Sequence, residues 1–131
     1  MKLDSMSFFQ LASKRMHWLS AGQQVIAENI ANADTPGFKA REVSPFSELV
    51  NGTTTRGMST THAAHISGGG YAGGVRVSRD DGTWETSISG NSVVLEQQTL
   101  KSSELSGAHQ MAALLYGKGQ KLLSLAVAGQ R

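Results

Sequence analysis

Apolar residues recur at Phe9, Ala12, Met16, Leu19, Ile26 and Ile30, with Gln23 in the one remaining slot. The steps alternate three and four, and on an α-helix that spacing draws a single seam of the kind two packed helices share. The alternation returns near the other end at Leu105, Ala108, Ala112, Leu115, Gly119, Leu122 and Ala126, widened by Leu100, Met111, Leu114 and Leu125. A seam at each end of 131 residues predicts a mainly α fold with two long terminal amphipathic helices, whose stripes could cover each other in a helical hairpin or meet helices of other chains. Ser7 suits the cap of the first helix, Gln10 its capping-box partner, and Met6 with Leu11 a hydrophobic staple. For the second helix, Asn91 or Ser92 suits the cap and Glu96 the positive end of the dipole.

Between the seams the composition changes. Residues 1–34 read as the N-terminal helix, 35–90 as a Gly/Ser/Thr-rich middle with a corner turn and a hairpin, and 91–131 as the C-terminal helix. The two helices are expected to form one core domain. The string VRVSRDDGTWETSI alternates around Asp81–Gly82, a favoured hairpin turn, with Val75 and Val77 on one face and Trp84, Thr86 and Ile88 sharing another. The string NGTTTRGMSTTHAAHISGGGYAGG has too little apolar surface to fold by itself and is expected to be loop.

Two helices bury little, and more apolar surface is present than they need. Phe8, Leu11, Trp18 and Val25 fall beside the N-terminal seam and would stay exposed in a simple helical hairpin. Gly107, Gly117 and Gly119 each cost about 1 kcal/mol relative to alanine, so the C-terminal helix needs a partner surface. Together these predict assembly with helices of other chains.

Chemistry finds little footing. The net charge is +2, and Lys14–Arg15 is the one basic pair, so the clustering that nucleic acid demands is missing. Without cysteine there is neither disulfide nor thiolate chemistry. No apolar run approaches the roughly 20 residues that span a bilayer. The opening MKLDSMSFFQLASKRMHW lacks the form of a cleavable signal peptide, because Asp4 and Lys14–Arg15 interrupt it.

The glycines Gly68, Gly70 and Gly73 spell G-x-G-x-x-G, but HAAHIS precedes them and the strand-like VRVS follows. A pyrophosphate site needs a strand before and a helix after, so this reads as loop. His62 and His65 stand three apart without a third ligand (Glu48 is the nearest upstream carboxylate), and read as polar loop residues. His17 and His109 read as packing or surface residues. No serine sits in a G-x-S-x-G elbow and no carboxylate pair is evident. No catalytic, cofactor or metal site and no small-molecule substrate are therefore expected.

The first helix ends elaborately, in NIANADTPGFKA at 29–40. Pro36 fixes φ at one corner of a type II turn and Gly37 accepts the positive φ at the next. A residue before proline avoids the helical region, so the helix stops by about Asp34, and Phe38 folds back as an anchor. Asn29 and Asn32 admit two readings. Asn32 closes the helix in a left-handed conformation with Asn29 solvated, or buried amides fix the register between packed helices.

Asn29, Ala31, Asn32, Thr35, Pro36, Gly37, Phe38 and Lys39 resemble the N-terminal signature of the flagellar rod, hook and hook-associated proteins. That signature is an asparagine-rich helix end followed by T-x-G-aromatic-K. The fuller string NIANADTPGFKARE, the short length, THAAHISG, and GNSV…LEQ at 90–97 look most like the proximal rod members. The family usually has an acid where this chain has Val94, and an asparagine where it has Leu105.

The resemblance implies a structural, non-enzymatic subunit whose two terminal helices pack as an antiparallel coiled-coil pair and stack with neighbours into the hollow drive shaft that carries motor torque and supports motility. It also implies export through the flagellar type III apparatus without signal cleavage, and a periplasmic place in the basal body. The implied partners are further copies, other rod proteins, the rod–ring junction protein, the membrane-ring protein and the export apparatus. The alternatives are another rod component, such as the second proximal rod protein, or a small helical DNA-binding protein with salt-sensitive association.

Overall fold

The two seams meet. The computed structural model, which describes residues 2–50, 70–72 and 74–129, runs α1 (Lys2–Ala31), β1 (Arg41–Val43), α2 (Phe46–Val50), β2 (Gly70–Ala72), β3 (Val75–Arg79) and α3 (Leu95–Ala128). The Phe9 ring lies edge-on to Tyr116 at 5.2 Å, Gln23 bonds the Ser102 carbonyl, and Asn29 bonds Gln98. Partner numbers fall along α3 as those of α1 rise, so the pair is antiparallel and the fold is mainly α.

Two glycines let the helices close. A Cβ on Gly22 would stand 2.8 Å from Leu105 Cδ1, and one on Gly119 would stand 2.8 Å from Phe8 Cε1. Both distances are inside van der Waals contact, so any larger residue would force the helices or those side chains apart. Gly119 therefore has a packing reason that its poor helix propensity conceals.

A three-stranded antiparallel sheet of order β1-β3-β2 covers a second face of α1. Val43 pairs with Val77 across β1–β3, and Ala72 with Val75 across β2–β3. Val75 and Val77 share one face and bury against Ala21 and Val25, with Trp18 and Val43 packed at the edge. Trp18 and Val25 are thus not left exposed as the two-helix picture expects. Val25 is buried under the sheet, and Trp18 donates its indole N–H to the Ser44 carbonyl at 2.7 Å. Phe8 and Leu11 do remain exposed.

The hairpin differs from the one expected at Asp81–Gly82. Strand β3 has both edges taken, by β1 and β2, so Trp84, Thr86 and Ile88 have nowhere to pair. Gly82 instead donates its N–H to Asp80 Oδ1 in a local turn, and Trp84 and Ile88 stand in solvent.

Both helix starts differ as well. Helix α1 begins at Lys2, so Ser7 and Gln10 stand inside it. A cap contributes only about 1 kcal/mol, and residues such as Leu3 and Met6 extend a helix readily. Helix α3 is capped by Val94 without a side-chain bond, because Asn91 and Ser92 are engaged elsewhere. His62, His65, Gly68 and Gly73 lie outside the described residues.

Candidate functional site: a locked corner and an open helix face

The end of α1 and the approach to α3 clasp each other. Thr35 to Phe38 form the expected turn: the Phe38 amide donates to the Thr35 carbonyl at 3.2 Å, and Gly37 has φ 74°. Opposite stands a second tight bend at Gly90, φ 82°, close enough that its Cβ would lie 3.5 Å from Gly37 Cα. The backbones are stitched by Gly37 N–H to the Ser89 carbonyl (2.9 Å) and Ser92 N–H to the Phe38 carbonyl (3.0 Å). Lys39 Nζ donates to the Gly90 carbonyl, and Ala40 N–H to Ser92 Oγ.

Three amides hold this clasp. Asn91 Nδ2 donates to the Asn32 and Thr35 carbonyls at 2.8 and 2.7 Å, a second bond to groups that already accept from the Thr35 and Phe38 amides. Asn29, 1% exposed, brackets Arg41: its Oδ1 accepts from the Arg41 amide and its Nδ2 donates to the Arg41 carbonyl. The same Nδ2 reaches Gln98 Oε1 on α3 at 3.0 Å. One side chain thereby ties α1, β1 and α3 together, so of the two readings the buried one describes Asn29. Asn32 does not take the left-handed conformation. Its Nδ2 donates back to the Glu28 carbonyl, and its Oδ1 accepts from Thr35 Oγ1.

Gln97 and Gln98 are both buried at the start of α3. Gln97 Nε2 donates to the Gly82 carbonyl and its Oε1 accepts from Trp84 N–H, which pins the Asp80–Trp84 loop. Asp80, 2% exposed, accepts from Gly82 N–H and pairs with Lys101, which also reaches Glu42 at 3.7 Å. Partial burial and the nearby Asp80 carboxylate push the Glu42 pKa above its ordinary value of about 4.5, against the pull of Lys101.

Beyond the clasp, the face of α3 turned away from α1 is bare. Leu100, Met111, Leu114, Leu115, Leu122, Leu125 and Val127 are all exposed. Among the seam positions on α1, Leu19 and Ile26 are buried, Phe9, Ala12, Met16 and Gln23 are half-buried, and Ile30 is exposed. On α3, Leu105, Ala108, Ala112 and Gly119 are half-buried, while Leu115, Leu122 and Ala126 are exposed. Gln23 fits its slot by donating to the Ser102 carbonyl and Ser106 Oγ and accepting from Ser102 Oγ.

Sequence reasoning missed Gln97, Gln98, Asp80 and the clasping role of Asn91. The string GNSV…LEQ contains two of them, Asn91 and Gln97, but their partners lie 13 to 59 residues away.

Comparison with known proteins matches this arrangement. The family described as "Flagella basal body rod protein" matches residues 9–39, which cover most of α1 and the corner. The flagellar basal body rod protein FlgB of Agrobacterium fabrum is 33% identical over 128 residues, 95% of this chain and 96% of the relative. The chain belongs to the flagellar basal body rod protein family. A second relative within it, the FlgB of Cereibacter sphaeroides, is 31% identical over 107 residues, 81% of this chain and 82% of its own. The Escherichia coli K12 FlgB shares 36% over 72 residues, about half of each chain (50% and 51%). The Agrobacterium rod protein aligns across 95% of this chain, so the clasp lies inside the shared region.

Proposed function

We infer that this chain is a structural subunit of the bacterial flagellar basal body rod. The observation that carries the reading is kinship to a rod protein over 95% of the chain. The physical design supports it, since one end of the helix pair is closed by internal hydrogen bonds and the other presents leucines to solvent. A contiguous apolar face of this kind is an interaction surface.

The subunit belongs to the proximal rod, where the seams of α1 and α3 stack with neighbours around a hollow shaft that carries torque. Its partners are further copies, other rod proteins, the rod–ring junction and membrane-ring proteins, and the export apparatus that delivers it to the periplasm without cleavage. It is not an enzyme. The corner at Thr35, Pro36, Gly37 and Phe38 sets the direction in which the chain leaves the helix pair.

Leu115→Glu in the source bacterium tests this. Leu115 is half exposed, so the fold is expected to tolerate the charge. The variant should still be secreted, with rod incorporation reduced about tenfold or more, equivalent to roughly 1.4 kcal/mol in the association step. Normal incorporation into purified basal bodies would overturn the assignment of this face. Ile26 is unsuitable for the same experiment because it is buried, and a charge there would break the helix pair itself.

A further inference from the structure

The one basic pair in the sequence, Lys14–Arg15, splits in the fold. Lys14 is exposed, whereas Arg15 is half-buried and its guanidinium lies over two rings at once. Arg15 Cζ is 4.8 Å from the ring centroid of Trp18 and 4.9 Å from that of Phe46. The rings themselves meet edge to face, with centroids 5.9 Å apart and planes at 60°. Arg15 and Trp18 stand three apart on α1 and so share a face. Phe46 is the first residue of α2, so one guanidinium joins the two helices.

Helix α2 needs such a fastening. It has five residues and none of them is buried. A helix shorter than about 12 residues is marginal in water, because its few hydrogen bonds do not offset the cost of nucleation. The chain just before it is pinned from two sides. The Ser44 carbonyl accepts from the Trp18 indole at 2.7 Å, and the Ser44 amide donates to the Arg76 carbonyl at 2.8 Å. Pro45 follows with φ fixed by its ring, and its carbonyl accepts from the Glu48 amide to close the first turn. Beyond Pro45, the stack of Phe46, Arg15 and Trp18 ties the helix itself to α1.

This attachment lies apart from what holds the helix pair. The buried cluster is Ala21, Val25, Val75 and Val77, with Trp18 only at its edge, and the clasp sits at the far end of α1. A cation over an aromatic face at a half-exposed site shifts an open–closed equilibrium only severalfold. Short elements held this weakly open locally, well below the free energy of global unfolding.

We propose that α2 is a latch on α1 with Arg15 as its catch, opening and closing while the helix pair and the clasp stay intact. Arg15 is a positioning residue in this device. With the latch closed, it fixes where α2, and the chain that continues from Val50, stand relative to α1. With the latch open, the Trp18 indole is released from the Ser44 carbonyl. The catch needs an arginine, because a planar, weakly hydrated guanidinium can stack on aromatic faces, whereas a lysine ammonium is a compact and strongly hydrated point charge. The latch belongs to the free chain, whatever that chain assembles with.

The full chain carrying Trp84→Phe tests this. The sequence has two tryptophans, and the Trp84 ring is exposed, so the replacement leaves Trp18 as the single indole without disturbing the fold. Solvent exchange of the Trp18 indole N–H, followed by NMR, reports the latch, while urea denaturation reports the helix pair. Arg15→Ala and Phe46→Ala should each speed that exchange about fivefold and leave the urea midpoint nearly unchanged. The double variant should exchange hardly faster than either single one, because both remove the same contact. Arg15→Lys should restore only part of the protection. Unchanged exchange in Arg15→Ala overturns the catch, and fully additive effects of the two alanines overturn the shared contact. Full protection in Arg15→Lys overturns the requirement for a stacked guanidinium. A urea midpoint that falls in step with faster exchange overturns the latch, since α2 then opens only with the whole fold.

Discussion

The two ends of the helix pair invert each other. At the corner, polar side chains are inside: Asn29, Asp80, Asn91, Gln97 and Gln98 are all buried, while Ile30 nearby is exposed. Along the second half of α3, leucines and Met111 are outside. Hydrogen bonds are directional, so a buried amide network fixes one geometry, and a fixed geometry is what a corner must supply. Apolar contact is non-directional and scales with the area removed from water, so an uncovered leucine face can be completed by a neighbour. Internal definition and assembly are thereby assigned to opposite ends of one molecule.

The largest effect should come from Asn29→Ala. It removes hydrogen bonds to the Arg41 amide, the Arg41 carbonyl and Gln98 at once, and is expected to lower the unfolding free energy by about 3 kcal/mol. Urea denaturation measures this, and a loss under about 1 kcal/mol would mean the clasp does not organise the fold. Gly37→Ala should cost less, about 1–2 kcal/mol, because only the backbone objects: φ is 74° and nothing lies within 4 Å of the new Cβ. A neutral result there would show that the turn can relax without the Gly37 conformation. At the bare end, Leu114→Gln should change the stability of the unassembled chain by no more than about 0.5 kcal/mol. A loss above about 1 kcal/mol in the same urea experiment would show that this face is already covered in the free chain, and the contrast between the ends would collapse.

Much of this was legible beforehand because it is local. A three-four alternation of apolar residues can only be an amphipathic helix, and Pro36 before Gly37 can only be a turn, whatever surrounds them. Hence the two helices and the corner with positive φ at Gly37 follow from the residues alone, while the antiparallel packing of the helices was implied by the family resemblance. The expected hairpin failed for a non-local reason. Val75 and Val77 share a face as their alternation predicts, but nothing near them in the chain says that Arg41–Val43 will occupy the edge of β3.

Asn91 shows the same division within one residue. Its type and position before a helix suit a cap, and that is all a sequence can say of it. In the folded chain the Asn32 and Thr35 carbonyls, 59 and 56 residues away, take its amide instead. Val25 was placed beside the seam by periodicity and under the sheet by packing. The sequence by itself determined which segments are helical and where the first one must turn, because those constraints act within a few bonds. The tertiary structure decided which amides are buried, which strand edges pair and which leucines stay uncovered. Those outcomes depend on which distant groups the whole fold brings to each donor, acceptor and apolar face.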